Sequence, residues 1–298
     1  MTRLALLVSP ASGAWSAARV AGSVAAALRP AVTELVPLVA RSGEHLAELA
    51  RSAVADGVDV LAVLGGDGAA HAAVQACAGT GTALAVIPAG TGNDLAAAVG
   101  LPRGSREAAA AVAGALRGGA RRTLDLGRIA GGGYFATVLC AGFDAAVNER
   151  TNRMRWPRGP RRYDLAILAE LAGLRPRQLL LETTAGRVEV EATLVALGNT
   201  TSYGGGIPIC PDADPADGEL DVTVVGAASR RQLLRILPTL RTGRHVDHPV
   251  VRTFRARKVQ LSGDNGWVAY ADGERQARLP VTVRAVPGAL TVVTGTGR

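Results

Sequence analysis

The chain has 298 residues, which is enough for one large domain or two ordinary ones with a sizeable core. Hydrophobic residues make up 48% of it, yet no uninterrupted apolar run approaches the ~20 residues that cross a bilayer. The net charge of +8 is carried almost wholly by arginine, and the aromatic content of 3% is too low for base-stacking surfaces. We therefore expect a nucleotide, a phosphorylated substrate or an anionic lipid surface as partner, and no nucleic acid.

Cysteine usage and the first residues both favour the cytoplasm. The three cysteines, Cys77, Cys140 and Cys210, are odd in number and widely separated, so they indicate neither a disulfide framework nor a zinc site. A signal peptide would need a longer apolar stretch than residues 4–8 and a small-residue cleavage site, so this run predicts a first β-strand. We expect a protein of the reducing cytoplasm.

Strand-like and helix-like segments alternate along the first 125 residues. Strands are predicted at residues 4–8, 32–38, 58–64 and 83–87, and helices at residues 15–28, 44–55, 69–78 and from about residue 93. Such alternation predicts a parallel sheet with right-handed crossovers. Because ligands of these sheets bind at the carboxyl ends of the strands, the turns that follow the strands are the candidate site.

Two glycine-rich turns follow two of these strands, and each carries an acidic residue. They are Gly65-Gly66-Asp67-Gly68 and Pro88-Ala89-Gly90-Thr91-Gly92-Asn93-Asp94. Glycine N–H groups can approach an anion closely, and the start of a following helix adds a favourable dipole. A P-loop is excluded because the only lysine is Lys258, and the dinucleotide fingerprint fails because Leu95 replaces its third glycine. Either turn alone reads equally well as an ordinary tight turn, but the pair predicts a nucleotide phosphate site.

After Asp125 the pattern changes to β-branched or alternating runs separated by turn residues. These runs lie at residues 134–140, 178–183, 187–197, 219–225, 258–262, 267–271 and 280–286, with helical stretches at residues 163–174 and 229–240. The pattern predicts an antiparallel β-sandwich. We expect a Rossmann-like α/β domain over residues 1–127 and a β domain over residues 128–288, and the final run, within residues 289–298, could return to the first domain.

Five motifs in this order resemble the soluble lipid kinases that include bacterial diacylglycerol kinases and sphingosine kinases, and the likeness covers nearly the whole chain. They are the two glycine-rich turns, Asp125 after a short basic segment, Asp217-Gly218-Glu219-Leu220-Asp221, and Asp272-Gly273-Glu274. The resemblance implies an ATP-dependent kinase of the NAD kinase and diacylglycerol kinase fold, with nucleotide on the α/β domain, lipid on the β domain and catalysis between them. The acceptor that it favours is the primary hydroxyl of diacylglycerol, which would give phosphatidic acid.

The resemblance also implies roles for individual residues. Nucleotide binding falls to the loop after the first strand and to both glycine-rich turns, that is, to Ser9, Pro10, Ala11, Ser12, Gly13, Gly65, Gly66, Asp67, Gly68, Ala69, Gly90, Thr91, Gly92, Asn93 and Asp94. Glu274 is the implied general base. Asp67 would lie near the phosphates and their Mg²⁺, and Asp125 would help to order the metal and water network.

A structural Mg²⁺ is implied at Asp217, with the backbone carbonyl groups of Asp214 and Glu219 as further ligands. Without the resemblance, this segment reads as a surface turn whose carboxylates cap backbone amides. An EF-hand is excluded, because Ala216 and Thr223 stand at two of the positions where its loop needs ligands. In the same way, Asp272-Gly273 alone would read as a hairpin tip.

Some positions depart from the family's pattern, and they leave rival functions open. Ala40, Ala69 and His71 stand where Thr, Thr and Asn are common, and each lost side-chain hydrogen bond costs about 1 kcal/mol. These departures favour a non-catalytic nucleotide- or lipid-binding regulator, whereas the intact carboxylates favour an enzyme. A kinase of another lipid alcohol, such as a sphingoid base, and an NAD kinase-like enzyme also stay open.

A basic segment around Trp156 is the predicted contact with the membrane. Its arginines are Arg150, Arg153, Arg155, Arg158, Arg161 and Arg162. Because a cation near an anionic lipid surface contributes about 1 kcal/mol, we expect peripheral attachment to the inner face of the membrane. A solvated loop is the equally simple alternative. Acyl-chain preference and oligomeric state, including a homodimer, are left open.

Overall fold

A computed structural model of the chain describes residues 2–9, 16–143, 146–147, 150, 154, 176–263 and 267–294. The chain divides into two compact units. Unit 1 contains residues 1–126, 204–206 and 286–298, and unit 2 contains residues 127–203 and 207–285. The predicted helix at residues 163–174 and six residues of the basic segment lie outside the described residues: Arg153, Arg155, Trp156, Arg158, Arg161 and Arg162.

Unit 1 is built on a parallel sheet. Its strands are β1 (Arg3–Val8), β2 (Glu34–Val39), β3 (Val60–Gly65), β4 (Ala83–Pro88) and the end of β15 (Val281–Val293), in the order β15, β4, β3, β1, β2. β3 and β4 are buried along their full length, as expected for strands that are covered on both faces. In their register Gly65 lies opposite Pro88, so the two glycine-rich turns leave the sheet side by side.

The direction of winding reverses at β1. This strand pairs with β2 on one side and with β3 on the other, and both pairings are parallel. Ligands of open α/β sheets bind in the crevice at such a reversal, outside the carboxyl ends of the strands. Ser9 closes this end of the β1 and β3 pair, because its N–H donates to the Leu64 carbonyl at 3.0 Å.

In the part of unit 1 that the structure describes, five α-helices connect the strands. They are α1 (Ser16–Leu28), α2 (Gly43–Ala55), α3 (Asp67–Cys77), α4 (Asp94–Ala98) and α5 (Ser105–Gly118). α3 begins two residues earlier than the pattern predicts, at Asp67. The helix predicted from residue 93 onwards is interrupted, because the chain turns at Gly100, which has a φ of 74°, and α5 begins only at Ser105.

Unit 2 is an antiparallel β domain. It contains the end of β5 (Arg121–Ile129) and the start of β15, together with β6 (Tyr134–Phe135), β7 (Val138–Gly142), β8 (Arg177–Thr183), β9 (Gly186–Gly198), β10 (Leu220–Gly226), β11 (Val251–Ala256), β12 (Lys258–Gly263), β13 (Val268–Ala271) and β14 (Glu274–Arg278). β9 pairs with β7, β8 and β10, and all three pairings are antiparallel. The predicted runs at residues 280–286 and 289–294 form one strand, β15.

Among the described residues of unit 2, most of the apolar core belongs to two large clusters. The first packs around Phe135, Leu181 and Trp267. The second joins Leu233 and Ile236, on the inner face of α6 (Arg230–Leu240), to residues of the sheet. The predicted fold class, an α/β domain followed by an antiparallel β domain, is therefore confirmed.

Candidate active site

The first glycine-rich turn forms the start of α3. Gly66 is the N-cap residue and adopts extended backbone geometry, so the N–H groups of the first helical turn lack intrahelical partners. The amides of Gly68 and Ala69 make no hydrogen bond with any other residue that the structure describes. Gly68 is also exposed. Unused amides and the positive end of the helix dipole together make this turn a suitable place for an anion.

The second glycine-rich turn is held in shape by Asn93. This residue has a φ of 59°, in the left-handed region, where Asn is tolerated better than most side chains. Its side chain accepts from the Gly90 N–H at 3.0 Å and donates to the Gly90 carbonyl at 2.8 Å. Thr91 is exposed at the apex, and within the described part of the chain the amides of Thr91 and Gly92 have no hydrogen-bond partner.

The two turns touch through their backbones. Ala89 N–H donates to the Gly65 carbonyl at 2.8 Å. A Cβ atom added to Gly90 would lie 2.6 Å from the Gly66 Cα, far closer than carbon atoms normally approach. Only glycine therefore allows this approach, which leaves the unused amides of both turns near one another. This arrangement fits a chain of phosphate groups.

Asp67 connects the two turns. Its Oδ2 accepts from the Asn93 N–H at 2.9 Å and its Oδ1 from the Asp94 N–H at 2.8 Å. The carboxylate thus caps the start of α4, although it belongs to α3. A side chain at Gly92 would overlap Asp67 Oδ2, so the Asp67 carboxylate could keep its present position only with glycine there. Asp67 is half-buried.

Asp94 is the buried acidic residue of this group. Its side chain accepts from the N–H groups of Gly205 and Gly206 at 2.9 and 3.0 Å. Burial, and secondly the charge of Asp67, raise the pKa of Asp94 to about 6 against the opposing effect of these hydrogen bonds. The sequence pattern places Asp94 at the nucleotide but gives no role to the Gly204-Gly205-Gly206 run, whose three consecutive glycines are the one signal that the sequence offers.

The positions where the chain departs from the family's pattern lie at the same edge of the sheet as these turns or in α3. Ala40 is buried after β2, and its N–H donates to the Val8 carbonyl at 3.0 Å. Ala69 is buried in α3, and the His71 ring lies 3.4 Å from the Gln75 side-chain nitrogen. Ser9 is buried at the end of β1. Ser9 begins the loop after β1. The other residues of that loop for which nucleotide binding is predicted lie outside the described residues: Pro10, Ala11, Ser12 and Gly13.

Asp125 is not brought to the glycine-rich turns. Its buried carboxylate accepts from the Gly288 N–H at 2.8 Å. The neighbouring Ala289 carbonyl accepts from Gly79, which precedes β4, at 2.7 Å. Asp125 is therefore near the amino end of β4, whereas the glycine-rich turns follow the carboxyl ends. Six residues of β4, at ~3.3 Å each, separate the two levels.

Glu274 lies next to a two-residue hairpin turn between β13 and β14. The central residues Asp272 and Gly273 have φ of 51° and 81°, the geometry of a type I′ turn. The Asp272 carboxylate accepts from the Ala136 and Thr137 N–H groups at 3.0 and 2.9 Å, and from the Thr137 hydroxyl. Asp272 thus anchors the turn, while Glu274 is exposed. The sequence pattern indicates Glu274 but does not reveal this anchor, because its partners are over 130 residues away.

Two carboxylates of the predicted metal loop, Asp217 and Asp221, form ion pairs with Arg255. Asp217 Oδ1 accepts from the Glu219 N–H at 2.9 Å, and its Oδ2 faces Arg255 Nη1 at 3.3 Å. Arg255 Nε also faces Asp221 Oδ1 at 3.4 Å, and its Nη2 donates to the Asp212 carbonyl at 3.1 Å. Oxygen ligands of this kind suit Mg²⁺. In the arrangement present, however, a cation bound by the Asp217 side chain would share this carboxylate with Arg255 and would be repelled by its guanidinium group.

The electrostatics of this loop agree with that description. Burial raises the pKa of Asp221, and the Arg255 guanidinium opposes this rise. Asp214 Oδ1 accepts from the Ala216 N–H at 3.0 Å, a short turn contact. Within the described ranges, no three His, Cys, Asp or Glu side chains are grouped closely enough to hold a metal ion.

Comparison with known proteins assigns both halves of the chain. Residues 3–129 match the family model described as diacylglycerol kinase catalytic domain, and residues 137–294 match that of the YegS C-terminal NAD kinase beta sandwich-like domain. A diacylglycerol kinase of Mycobacterium tuberculosis is 42% identical over 98% of this chain and 94% of the relative. A "Probable lipid kinase YegS-like" protein of Pseudomonas aeruginosa is 30% identical over 90% of this chain and 87% of the relative.

Solved structures agree on the fold. The crystal structure of a diacylglycerol kinase from Bacillus anthracis superposes with a TM-score of 0.76 at 19% identity, and the match covers 99% of this chain and 97% of the other. None of the helices that the structure describes is long and apolar enough to cross a membrane. With its two halves matched by the two family domains and nearly its whole length aligned with the mycobacterial relative, the chain belongs to the diacylglycerol kinase family and is a lipid kinase.

Proposed function

We propose that this lipid kinase uses ATP to phosphorylate the primary hydroxyl of diacylglycerol, giving phosphatidic acid. The observation that carries the proposal is the 42% identity, over nearly the whole chain, to a protein described as a diacylglycerol kinase. The acceptor is a proposal because the YegS-like relative is described only as a lipid kinase.

The nucleotide phosphates are assigned to the two glycine-rich turns. Support comes from the unused amides of Gly68, Ala69, Thr91 and Gly92 and from the positive end of α3. Ser9 and the loop through Gly13 would complete the site. We leave Asp125 out of this site, because its carboxylate is bound to Gly288 near the amino end of β4.

The chemical step needs a base for the acceptor hydroxyl. The hydroxyl oxygen attacks the γ-phosphorus, a new O–P bond forms, the bond to the β,γ-bridging oxygen breaks, and ADP leaves. Glu274 is assigned as the group that receives the hydroxyl proton. Its support is an exposed carboxylate beside a turn that Asp272 holds in place through three hydrogen bonds.

Mg²⁺ is assigned to the nucleotide, with Asp67 as the nearby carboxylate. Carboxylate oxygens are the donors that Mg²⁺ prefers. Each Asp67 oxygen accepts from one backbone N–H and keeps a lone pair, and Asp67 is more exposed than the buried Asp94. When bound, Mg²⁺ neutralises charge on the phosphate oxygens. The second metal that the family pattern implies, at Asp217, stays a weaker proposal, since Arg255 already neutralises that carboxylate.

A kinase whose acceptor lies in a bilayer must reach the bilayer surface. The net charge of +8 favours anionic lipid, and we assign the contact to the basic segment around Trp156. Charge reversal at Arg155 and Arg158 should release the protein from anionic vesicles. Unchanged binding in a sedimentation assay would overturn this assignment.

The test of the function is a product assay. Purified protein is incubated with Mg·ATP and vesicles that contain diacylglycerol, a sphingoid base or monoacylglycerol, and in parallel with NAD; products are identified by mass spectrometry. Phosphatidic acid formed faster than any other product supports the proposal. Faster phosphorylation of another lipid alcohol would overturn the acceptor but keep the lipid kinase, and phosphorylation of NAD alone would overturn both.

A further inference from the structure

We propose that Asp94 is a positioning residue of the kinase reaction: it binds a run of three glycines, fixes the second glycine-rich turn in this way, and does not contact the nucleotide itself. These glycines, Gly204, Gly205 and Gly206, are called the glycine nest below. The proposal rests on the proposed function, since it concerns the loop to which the nucleotide phosphates are assigned. It gives Asp94 a task different from that of Asp67.

The nest is a backbone site for a carboxylate. Its three residues have φ of 60°, 85° and 98°, so they occupy conformations that side chains other than glycine rarely adopt. Successive N–H groups in such a conformation converge on an anion. Asp94 supplies that anion: Oδ1 accepts from the Gly205 and Gly206 amides at 2.9 and 3.0 Å, and Oδ2 lies 3.2 Å from the Gly205 amide.

The nest also lies against the second glycine-rich turn. A Cβ added to Gly205 would be 4.0 Å from the Gly92 Cα, which is ordinary van der Waals distance. The turn is therefore fixed from three directions. Asn93 closes it on Gly90, Asp67 holds the N–H groups at its end, and the nest holds it through Asp94.

A direct contact between Asp94 and the nucleotide is disfavoured by the same geometry. The side chain is only 8% exposed, and both oxygens are engaged by the nest. To reach a phosphate it would have to leave three N–H contacts, and it would bring a negative charge towards another. Thr91, by contrast, is exposed at the apex of the turn. The nest thus holds the turn in shape and leaves the apex to the phosphates.

The test separates positioning from direct contact by breaking the nest from either side. Asp94→Ala removes the anion, and Gly206→Ala puts a side chain at a φ of 98° where no atom lies within 4 Å of its Cβ. The matched control is Gly57→Ala, at a φ of 74° and equally open, in the turn before β3. ATP affinity is measured by calorimetry for both variants, their double variant and the control.

We expect Asp94→Ala and Gly206→Ala each to weaken ATP binding at least tenfold. The double variant should bind ATP no more weakly than the weaker of the two single variants. The Gly57→Ala control should bind ATP like the wild type. Asp94→Asn keeps one oxygen for the nest and should fall between the wild type and Asp94→Ala. Normal ATP binding by Gly206→Ala would overturn the proposal, because Asp94 would then act without the nest.

Amide hydrogen exchange tests the contact between Asp94 and the glycine nest without depending on the kinase function. In the wild type, the Gly205 and Gly206 amides should exchange slowly, and in Asp94→Asn and Asp94→Ala at least tenfold faster. Fast exchange in the wild type would overturn the nest. A wild-type protein that binds no ATP but protects these amides would instead overturn the proposed function and leave the nest standing.

Discussion

Replacing Gly90 by alanine should damage the proposed nucleotide site. The new Cβ would lie 2.6 Å from the Gly66 Cα, and carbon atoms pack at about 3.5–4.0 Å. The second glycine-rich turn must therefore recede by about 1 Å. A shift of that size breaks the 3.0 Å contact from the Gly90 N–H to Asn93, unless the whole turn moves together.

The free energy involved is about 2 kcal/mol. Inserting a methyl group into a packed region costs about 1–3 kcal/mol, and each lost hydrogen bond costs about 1 kcal/mol. A change of about 2 kcal/mol corresponds to roughly a 30-fold change in an equilibrium constant. If the turn moves alone, this cost should appear in ATP affinity. If the turn resists, it should appear in the free energy of unfolding.

The assay compares Gly90→Ala with Gly81→Ala, which precedes the other end of β4. No atom lies within 4 Å of a Cβ at Gly81, so the control adds the same methyl group without a collision. ATP affinity is measured by calorimetry and the melting temperature by scanning fluorimetry. If Gly90→Ala matched the control in both quantities, the two turns would not be packed as the structure shows, and the reasoning would fail.

Three further predictions concern single side chains. Glu274→Gln should lose turnover while it retains ATP binding, and Glu191→Gln, an exposed residue of the same unit, should keep both; near-normal turnover in the first would remove Glu274 from the mechanism. Arg255→Gln should lower the melting temperature, because Asp217 and Asp221 lose the guanidinium group that pairs with them. Added Mg²⁺ should restore part of the lost melting temperature. An unchanged melting temperature would show that these ion pairs do not stabilise the fold. Without nucleotide and metal, the stability contributed by Asp94 should fall as pH rises from about 4, the pKa of this group in the unfolded chain, to about 6, its pKa in the folded protein, because the folded state binds the proton more tightly. Chemical denaturation measured across this pH range checks the expectation, and Asp94→Asn should lack the pH dependence.

Much of unit 1 could be predicted from the sequence because three of its strands, β1, β3 and β4, are almost fully buried. Such strands appear as short continuous apolar runs, and β1, β3 and β4 each begin and end within two residues of the predicted bounds. The start of α3 was less predictable. Gly68 is a weak helix former, so local preference favours a later start than Asp67, where the backbone N-cap at Gly66 places it.

The contacts that shape the site could not be predicted in the same way. Asp94 binds Gly205 and Gly206, 111 and 112 residues away, and Asp272 binds Ala136 and Thr137 at similar separations. A residue pattern reports which side chains can accept hydrogen bonds but not which distant amides reach them. Hence Asp94 was assigned to the nucleotide from its position in the turn, although the structure engages both of its oxygens with glycine amides.

The side-chain charges at the two glycine-rich turns are negative. Residues 65–71 and 88–99 contain two aspartates and no lysine or arginine, so within these two segments only backbone amides could attract a phosphate group. The carboxylates of Asp67 and Asp94 would repel it, and only part of their charge is absorbed by the amides they bind. Burial, and secondly the charge of Asp67, raise the pKa of Asp94, as expected for a carboxylate that lies close to another one in a poorly solvated place. For a nucleotide triphosphate bound here, as proposed, a divalent cation on the phosphates would reduce this repulsion, and the same two carboxylates would then attract the complex.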